Sequence, residues 1–422
     1  MPVSEPRHEM QGGVHLLTWK DEHIQMVVTR LYETSHYEIH ADIEITTTRP
    51  GYKPHLYEGR ENLRSLTTRR TLIKHLLHAK GNQEYDPSAF PNWELLIEDA
   101  FTRVVSKSRE GEKPKWVKDI LPSESLKHRV NPFLLEKRAN LFFGAPKSGK
   151  SFFALYLAVL MTLPLDGITE GVEPCSVLYL DYEDEADTLR ERQQAIVKGL
   201  GDFLDDMNIL YRRCWQPIAG DITAIQAMIL EHNISTVIID SAAKACGGDP
   251  LSLPLTMSYF IALRSLNITT LTIHHQPKNI PSEKETPYGN QYWISEPRSI
   301  FHFVATQELN GDTLNLGIFD KAGNHRRRLY PIGVEISFHS NDVVTFVRTR
   351  VSDDAALSQR LPMRDRIEAL LRNGTMMLPE MAESLETPQA QLRARLYEPE
   401  GKQRFVRLPD GSWGNRALEN TV

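Results

Sequence analysis

Apolar and polar positions change their spacing several times along the chain, and each change marks a candidate border. In residues 14–20, 23–32 and 37–48 they alternate, with polar turns such as Lys20-Asp21-Glu22 and Glu33-Thr34-Ser35 between the runs. That is the period of half-buried strands, and it predicts an antiparallel meander. After Pro50-Gly51 the period becomes helical. Leu66, Leu72, Ile73, Leu76 and Leu77 share one face, Arg64, Arg69, Arg70, Lys74 and Lys80 lie elsewhere, and a second helix is expected around 93–105. The basic residues read as a solvated face before they read as a nucleic-acid contact. Residues 106–118 are charged and contain Pro114, so a boundary falls there.

From 118 to 350 short apolar runs alternate with helical stretches. The runs at 139–143, 176–181, 208–211, 236–240 and 269–274 are interleaved with helical patterns at 151–163, 186–200, 222–232 and 256–266. This predicts an α/β fold, a mostly parallel sheet with helices on its faces and ligands at the carboxyl ends of the strands. Beyond Ser299 the runs 299–306, 313–320, 334–339 and 343–350 are joined by short turns and are expected to extend the sheet in antiparallel fashion. A polar linker, 352–359, leads to a small module. Helices are predicted at 364–372, 378–385 and 388–397, then a hairpin from 404–407 through Pro409-Asp410-Gly411 to Ser412-Trp413. This is winged-helix order, with Gln389, Gln391, Arg393 and Arg395 on the recognition helix. The expected division is an N-terminal α+β domain (1–110), an α/β domain (118–350) and a winged-helix-like domain (360–416).

Composition narrows the picture only a little. A length of 422 residues calls for more than one core. A net charge of −6 argues against coating nucleic acid by bulk charge, so any DNA contact must be local, and the small module's near-balanced charge leaves protein docking as open as DNA reading. No apolar run approaches a membrane span, and residues 1–13 carry no secretory apolar segment. Cys175, Cys214 and Cys246 are far apart and lack metal-ligand spacing, which suits a reducing compartment. A cytoplasmic protein without membrane contact is expected.

The chemistry concentrates at Gly144-Ala145-Pro146-Lys147-Ser148-Gly149-Lys150-Ser151, which fits G-x-x-x-x-G-K-S/T between an apolar strand and a helix. Glycines there let the backbone wrap a polyphosphate, so that loop N–H groups and the positive end of the helix face the anion. Lys150 is expected on the β- and γ-phosphates of ATP and Ser151 on Mg²⁺, with Phe152 next in line as a nucleotide contact. Asp240, at the tip of an apolar strand, is the second candidate for Mg²⁺. Ser241 follows it, so the acidic pair used by many ATPases is absent and the carboxylate that orients water must come from elsewhere. Glu183, just past the strand 176–181 at an end expected to flank the phosphate loop, is the candidate; Asp181, Asp184 and Glu185 crowd it, and an acidic helix start is the alternative. His274 and His275 close another strand, placed to sense a γ-phosphate or to be satisfied locally. The polar loop 279–289 after them is a candidate switching or DNA-contacting segment.

Taken together, the phosphate loop, Tyr182-Glu183-Asp184, Ile238-Ile239-Asp240-Ser241, His274-His275 with Lys278, and Gly289-Asn290-x-x-Trp293 with Arg298-Ser299 resemble RepA-type ATPases of the RecA fold. The resemblance covers about 121–330. It implies a RecA-like P-loop core and a family that includes hexameric replicative helicases. It also implies that Glu183 is the catalytic glutamate, His275 the sensor, Arg298 an arginine supplied to a neighbouring subunit's nucleotide, and Lys321, in Asp320-Lys321-Ala322-Gly323-Asn324, a second residue presented across the interface. The chain differs from minimal plasmid helicases by its N-terminal meander and C-terminal module. The expectation is a homo-oligomer, in the family's manner a hexameric ring, that uses ATP and Mg²⁺ and acts on DNA. Single-stranded DNA would pass a channel lined by Lys278, Lys284 and Arg326-Arg327-Arg328; duplex DNA or protein partners would meet the end modules. The alternative is a nucleotide-gated assembly switch without unwinding activity.

Overall fold

In the computed structural model the described residues are all except 1–2, 12, 34–37, 51–52, 78–91, 111–115, 120–126, 164–166, 170–171, 202–207, 278–284, 310, 323–328 and 417–422. The chain divides into two compact units, Met1–Leu126 with Ile218–His232 and Ile261–Asn267, and Lys127–Pro217 with Asn233–Phe260 and Ile268–Val422.

The first unit holds an antiparallel sheet in sequence order, β1 (Arg7–Gln11), β2 (Val14–Trp19), β3 (Ile24–Glu33), β4 (Ile39–Thr47) and β5 (His55–Asn62). Alternation places Leu17, Trp19, Met26, Val28, Ile43 and Ile45 on the buried face, where Leu72 and Leu76 of α1 (Leu66–Leu77) and Leu96, Ile97 and Phe101 of α2 (Trp93–Glu110) complete the core. The meander is thus present with a strand added at each edge. β1 and β5 escape the sequence pattern because edge strands bury little: β5 alternates only weakly and buries Leu56 alone.

The second unit begins with a short hairpin, β6 (His128–Val130) and β7 (Leu134–Leu135), and continues through β8 (Ala139–Gly144), α3 (Lys150–Thr162), β9 (Ser176–Asp181), α4 (Ala186–Gly199) and β10 (Ile209–Arg213). After α5 (Ile218–Glu231), which is grouped with the first unit, come β11 (Ile234–Asp240), α6 (Ala242–Ala245), α7 (Leu253–Leu266), whose residues from Ile261 on are also grouped with the first unit, β12 (Thr269–His275) and α8 (Tyr292–Ser295). The strands β13 (Ser299–Gln307), β14 (Thr313–Ala322), β15 (Ile332–His339) and β16 (Val343–Thr349) then close a nine-stranded sheet of order β10-β9-β11-β12-β8-β13-β14-β15-β16. From β10 to β13 every pairing is parallel; β14, β15 and β16 add on antiparallel. This is the mixed α/β core expected from the alternation.

Strands buried on both faces read as continuous apolar runs, and β8, β9 and β11 do so. α3 is buried nearly all round, and Phe133, Phe142, Phe153, Phe301 and Phe303 pack their rings around its first turns. Asn140 is a buried polar clamp that the pattern did not reveal. Its carboxamide accepts from Leu135 N at 2.8 Å and donates to the carbonyls of Leu135, Arg138 and Thr270, tying β7 and β12 to the strand that feeds the phosphate loop. One expectation about strand order changes. β9, which leads to Glu183, does not neighbour β8, because β11 and β12 lie between them; parallel strands ending at one sheet edge still bring their loops together there.

The small C-terminal module has its own core of Ile367, Leu371, Met381, Leu392, Leu396, Phe405 and Trp413. It follows α9 (Ala355–Ser358) and consists of α10 (Met363–Leu370), α11 (Leu378–Ser384), α12 (Gln389–Tyr397), α13 (Pro399–Arg404) and the pair β17 (Phe405–Arg407) with β18 (Trp413–Asn415). A bridge from Met376 to Trp413 adds a strand-like rung between α10 and α11. Two features differ from the sequence reading. Residues 399–404 form a helix, begun by Pro399 at a position where its missing N–H costs nothing, and residues 352–359 are tethered as well as polar. Val351, Leu357 and Leu361 pack with Val304 and Phe319, and Asp354 caps α9 while accepting from Thr306.

Candidate active site

The turn from β8 into α3 is built for an anion. Gly144 lies so close to β13 that an added Cβ would fall 2.3 Å from the Phe303 carbonyl oxygen, and Gly149, the N-cap of α3, sits at φ 73°. Both positions exclude side chains, one by contact and the other by backbone conformation. No side chain caps α3, so its first N–H groups and its dipole face the loop's concavity. Lys150 is 4% exposed, and its Nζ donates to the carbonyls of Gly144 and Ala145 at 3.2 and 2.6 Å and contacts Ser148 Oγ at 3.1 Å. Burial lowers its pKa to about 8, opposed by the carboxylates of Asp240 and Glu183.

Those two carboxylates do different things. Asp240 ends β11, buried, with its carboxylate accepting from the hydroxyls of Ser151 and Tyr179, the latter at 2.9 Å. Burial pushes its pKa up to about 6, and the nearby Glu183 and Asp181 charges add to the rise. A carboxylate pressed toward neutrality beside a serine hydroxyl at a phosphate loop is a fitting partner for a divalent cation, whose charge removes the penalty. Ser151 and Asp240 would hold Mg²⁺, which supplies charge neutralisation for the phosphates when bound.

Glu183 lies two residues beyond β9, its side chain 40% exposed toward the same cleft. His275 Nε2, at the end of β12, stands 3.5 Å from its Oε1, and the Ser241 hydroxyl donates to that oxygen too. The His275 hydrogen bond is the largest cause of a pKa lowered to about 2. A carboxylate held this low stays ionised and takes a proton poorly, which suits orienting the water over deprotonating it. The crowd of acids around it resolves cleanly. Asp181 turns inward and accepts from the N–H groups of Glu183 and Asp184, both at 2.9 Å; Asp184 pairs with Arg192 at 3.0 Å and Glu185 with Arg213 at 3.1 Å. Of the four, only Glu183 lines the cleft of about 420 Å³ that Pro146 to Phe152, Asp240 and His275 also line.

The histidine pair divides. His274 is fully buried, its Nε2 2.6 Å from the Tyr288 carbonyl and its ring 4.3 Å from Trp293; burial lowers its pKa to about 4, so it is a neutral structural group. The Gly289-Asn290-x-x-Trp293 segment is structural in the same way, with Asn290 and Trp293 both donating to the Pro250 carbonyl. Arg298 is exposed and far from the loop within its own chain. It precedes β13, its N–H donating to the Ala139 carbonyl at 2.8 Å, at the amino end of β8, whereas the loop leaves the carboxyl end. Lys321 is likewise absent from the phosphate cleft and lines a cavity of about 520 Å³ with Glu285, His302, Phe319 and Arg360. Lys278, Lys284, Gly323, Asn324 and Arg326 to Arg328 lie outside the described residues.

Sequence reasoning missed a contact chain that starts here. Gln276 follows His275, its N–H donating to the Gly144 carbonyl at 3.1 Å and its Oε1 2.8 Å from His302 Nε2. His302 Nδ1 is 3.3 Å from Glu285, and Glu285 pairs with Arg360 at 2.7 Å, just before the module's first helix, α10, begins. Only the fully buried His302, facing a polar side chain just beyond the end of β12, could have hinted at it, and burial is not written in one sequence.

Among known proteins, a family described as an AAA domain matches residues 108–280, a stretch that contains the phosphate loop, Glu183, Asp240 and His275. No curated protein matches the chain. A KaiC-like protein from the hyperthermophilic archaeon Pyrococcus horikoshii OT3 is similar in structure, at 13% identity and a TM-score of 0.37, over 55% of this chain and 99% of that one. No described helix is long and apolar enough to cross a membrane, and no described cluster of His, Cys, Asp and Glu has the makings of a separate metal centre. With the loop, the acids and the parallel sheet in these positions, and an AAA-domain match across them, the second unit is a P-loop NTPase core of mixed α/β fold.

Proposed function

We propose that the chain is a Mg²⁺-dependent ATPase that works as a homo-oligomer on DNA, in the manner of RepA-like helicases or translocases. The observation that carries the hydrolytic part is Glu183, held by His275 and Ser241 on the cleft while its acidic neighbours are engaged by arginines or turned inward. Lys150 binds the β- and γ-phosphates, Glu183 aligns the attacking water, and His275 touches both the acid and the place where the γ-phosphate leaves.

Oligomeric action rests on Arg298. An exposed arginine at the sheet end opposite its own phosphate loop is of no use to that loop, but it suits a neighbour's, where a guanidinium stabilises developing charge by about 10³ to 10⁵ in other phosphoryl transfers. Arg298→Ala and Lys150→Ala proteins, each inactive alone, should regain some ATPase when mixed, because a few sites then have an intact Lys150 on one subunit and an intact Arg298 on the next. Failure to regain activity, with subunit exchange demonstrated separately, removes the shared site.

The DNA part is tested by ATPase assays with and without single-stranded DNA beside an unwinding assay. Stimulation with unwinding supports the helicase. Stimulation without it supports a second reading, a nucleotide-gated switch, which the contact chain from His275 through Gln276, His302 and Glu285 to Arg360 favours. The C-terminal module has a separate test. On α12, Gln389, Gln391 and Arg393 are exposed, while Arg395 is tied to Glu398. Because Val351, Leu357 and Leu361 belong to the core's packing, the cut belongs after Leu361. Removing 362–422 should lower duplex affinity and flatten its salt dependence while basal ATPase persists, since phosphate contacts make binding salt-sensitive. An unchanged salt slope would instead mark the module as a protein-docking element.

A further inference from the structure

The cleft over the phosphate loop does not end at Phe152. A second hollow, of about 470 Å³, opens beyond it, and Phe152, Arg192 and Phe338 line both. Its floor is apolar. Phe152 and Phe338 meet edge to face at 5.6 Å, with Ala195 of α4 and Val344 of β16 buried beside them. Arg192 lies 5.5 Å over the Phe152 ring and is fixed there by its pair with Asp184. The rim is polar, formed by Glu191, Gln194 and Lys198 on α4 and His339 and Asp342 at the β15–β16 turn, and all five are exposed. The walls are held together: a Cβ added to Gly199, at the end of α4, would fall 1.8 Å from the Val344 carbonyl oxygen, so helix and hairpin touch through backbone.

We infer that this hollow receives the base of the nucleoside triphosphate whose phosphates occupy the loop, and that it holds a purine by stacking and apolar contact without reading the hydrogen-bonding edge. The inference rests on the phosphate-loop reading above. Phe152 directly follows Ser151, so a nucleotide with its phosphates against the first turn of α3 carries its sugar and base past that ring, onto the apolar surface that Phe338 completes. Flat heterocycles gain most from such aromatic and guanidinium platforms. Apart from Arg192, whose guanidinium lies over Phe152 and is paired with Asp184, the polar side chains that line the hollow sit in water at its rim, where exchanging one base-edge hydrogen bond for another costs little. Sites that bury hydrogen-bonding groups against a substrate reject the wrong one by about 10⁴ or more, whereas apolar pockets discriminate by about 10 to 200. The expectation is therefore ATP and GTP within about tenfold of each other, pyrimidine nucleotides weaker, and tripolyphosphate weakest.

The test is competition binding on the full chain with Mg²⁺ and a fluorescent ATP analogue, displaced by ATP, GTP, CTP and inorganic tripolyphosphate. Phe338→Ala should weaken ATP and GTP by about tenfold or more, leave tripolyphosphate unchanged, and be rescued by Phe338→Tyr. Unchanged tripolyphosphate binding also shows that the variant folds. If Phe338→Ala leaves the advantage of ATP over tripolyphosphate intact, the base lies elsewhere and the inference fails, while the phosphate site stands. If wild-type protein prefers ATP to GTP by about a thousandfold or more, its edge is being read and the stacking account is overturned. If neither ATP nor tripolyphosphate binds the wild type, the phosphate-loop reading falls and takes this inference with it.

Discussion

Lys150→Ala will abolish tight ATP binding. The ammonium is buried inside the phosphate loop, at 4% exposure, and it is held there by the carbonyls of Gly144 and Ala145. Burial that lowers its pKa to about 8 still leaves most of it charged at neutral pH, and a bound triphosphate would raise the pKa again by supplying the opposite charge. Lys147, on the same loop, is exposed and cannot replace a point charge inside it. Isothermal calorimetry with ATP and Mg²⁺ should register no binding by the mutant, and an unchanged melting temperature would show that the loss is local. Wild-type affinity would remove the site assignment.

Glu183→Gln has the second large effect, on turnover and not on binding. The amide keeps the shape of the side chain and can still accept from Ser241, but it offers the water a weaker acceptor and loses the charge that His275 faces. A fall in kcat of at least about a hundredfold is expected, with ATP affinity within a few-fold of wild type. Asp184→Asn and Glu185→Gln are the controls, because Arg192 and Arg213 already engage those acids. Both should turn over at close to the wild-type rate. Normal hydrolysis by Glu183→Gln beside a dead Asp184→Asn would transfer the role to the neighbour.

How far the sequence reached depends on how local each feature is. The phosphate loop is contiguous, so eight adjacent residues carry its whole geometry, and Asp240 is announced by the apolar run that ends on it. Glu183 needed more. Its sequence neighbourhood offers four acids, and what singles it out are ion pairs to Arg192 and Arg213, one on the next helix and one on a different strand. Such pairs depend on how α4 and β10 come together, which no spacing rule encodes. Strand order was hidden for the same reason: β11 and β12 slip between β9 and β8 by long crossovers, and the apolar runs read alike in any order. The outer strands β1 and β5 were hidden for the opposite reason, since each pairs on one side only and buries little apolar surface to mark it. Tyr179, whose hydroxyl secures Asp240, looked like one more residue of a buried strand.

The account turns on one arrangement: triphosphate wrapped by the loop, Mg²⁺ between Ser151 and Asp240, and a water between the γ-phosphate and residue 183. The structure of the Glu183→Gln protein with ATP and Mg²⁺ measures it directly, because the slowed variant retains uncleaved nucleotide. The account predicts phosphates along Gly144 to Ser151 with Lys150 turned from the loop carbonyls onto them, the metal at Ser151 and Asp240, and the substituted amide at position 183 facing the γ-phosphate together with His275. Nucleotide bound elsewhere, or bound in the loop with Asp184 or Glu185 holding the water in place of residue 183, would contradict it.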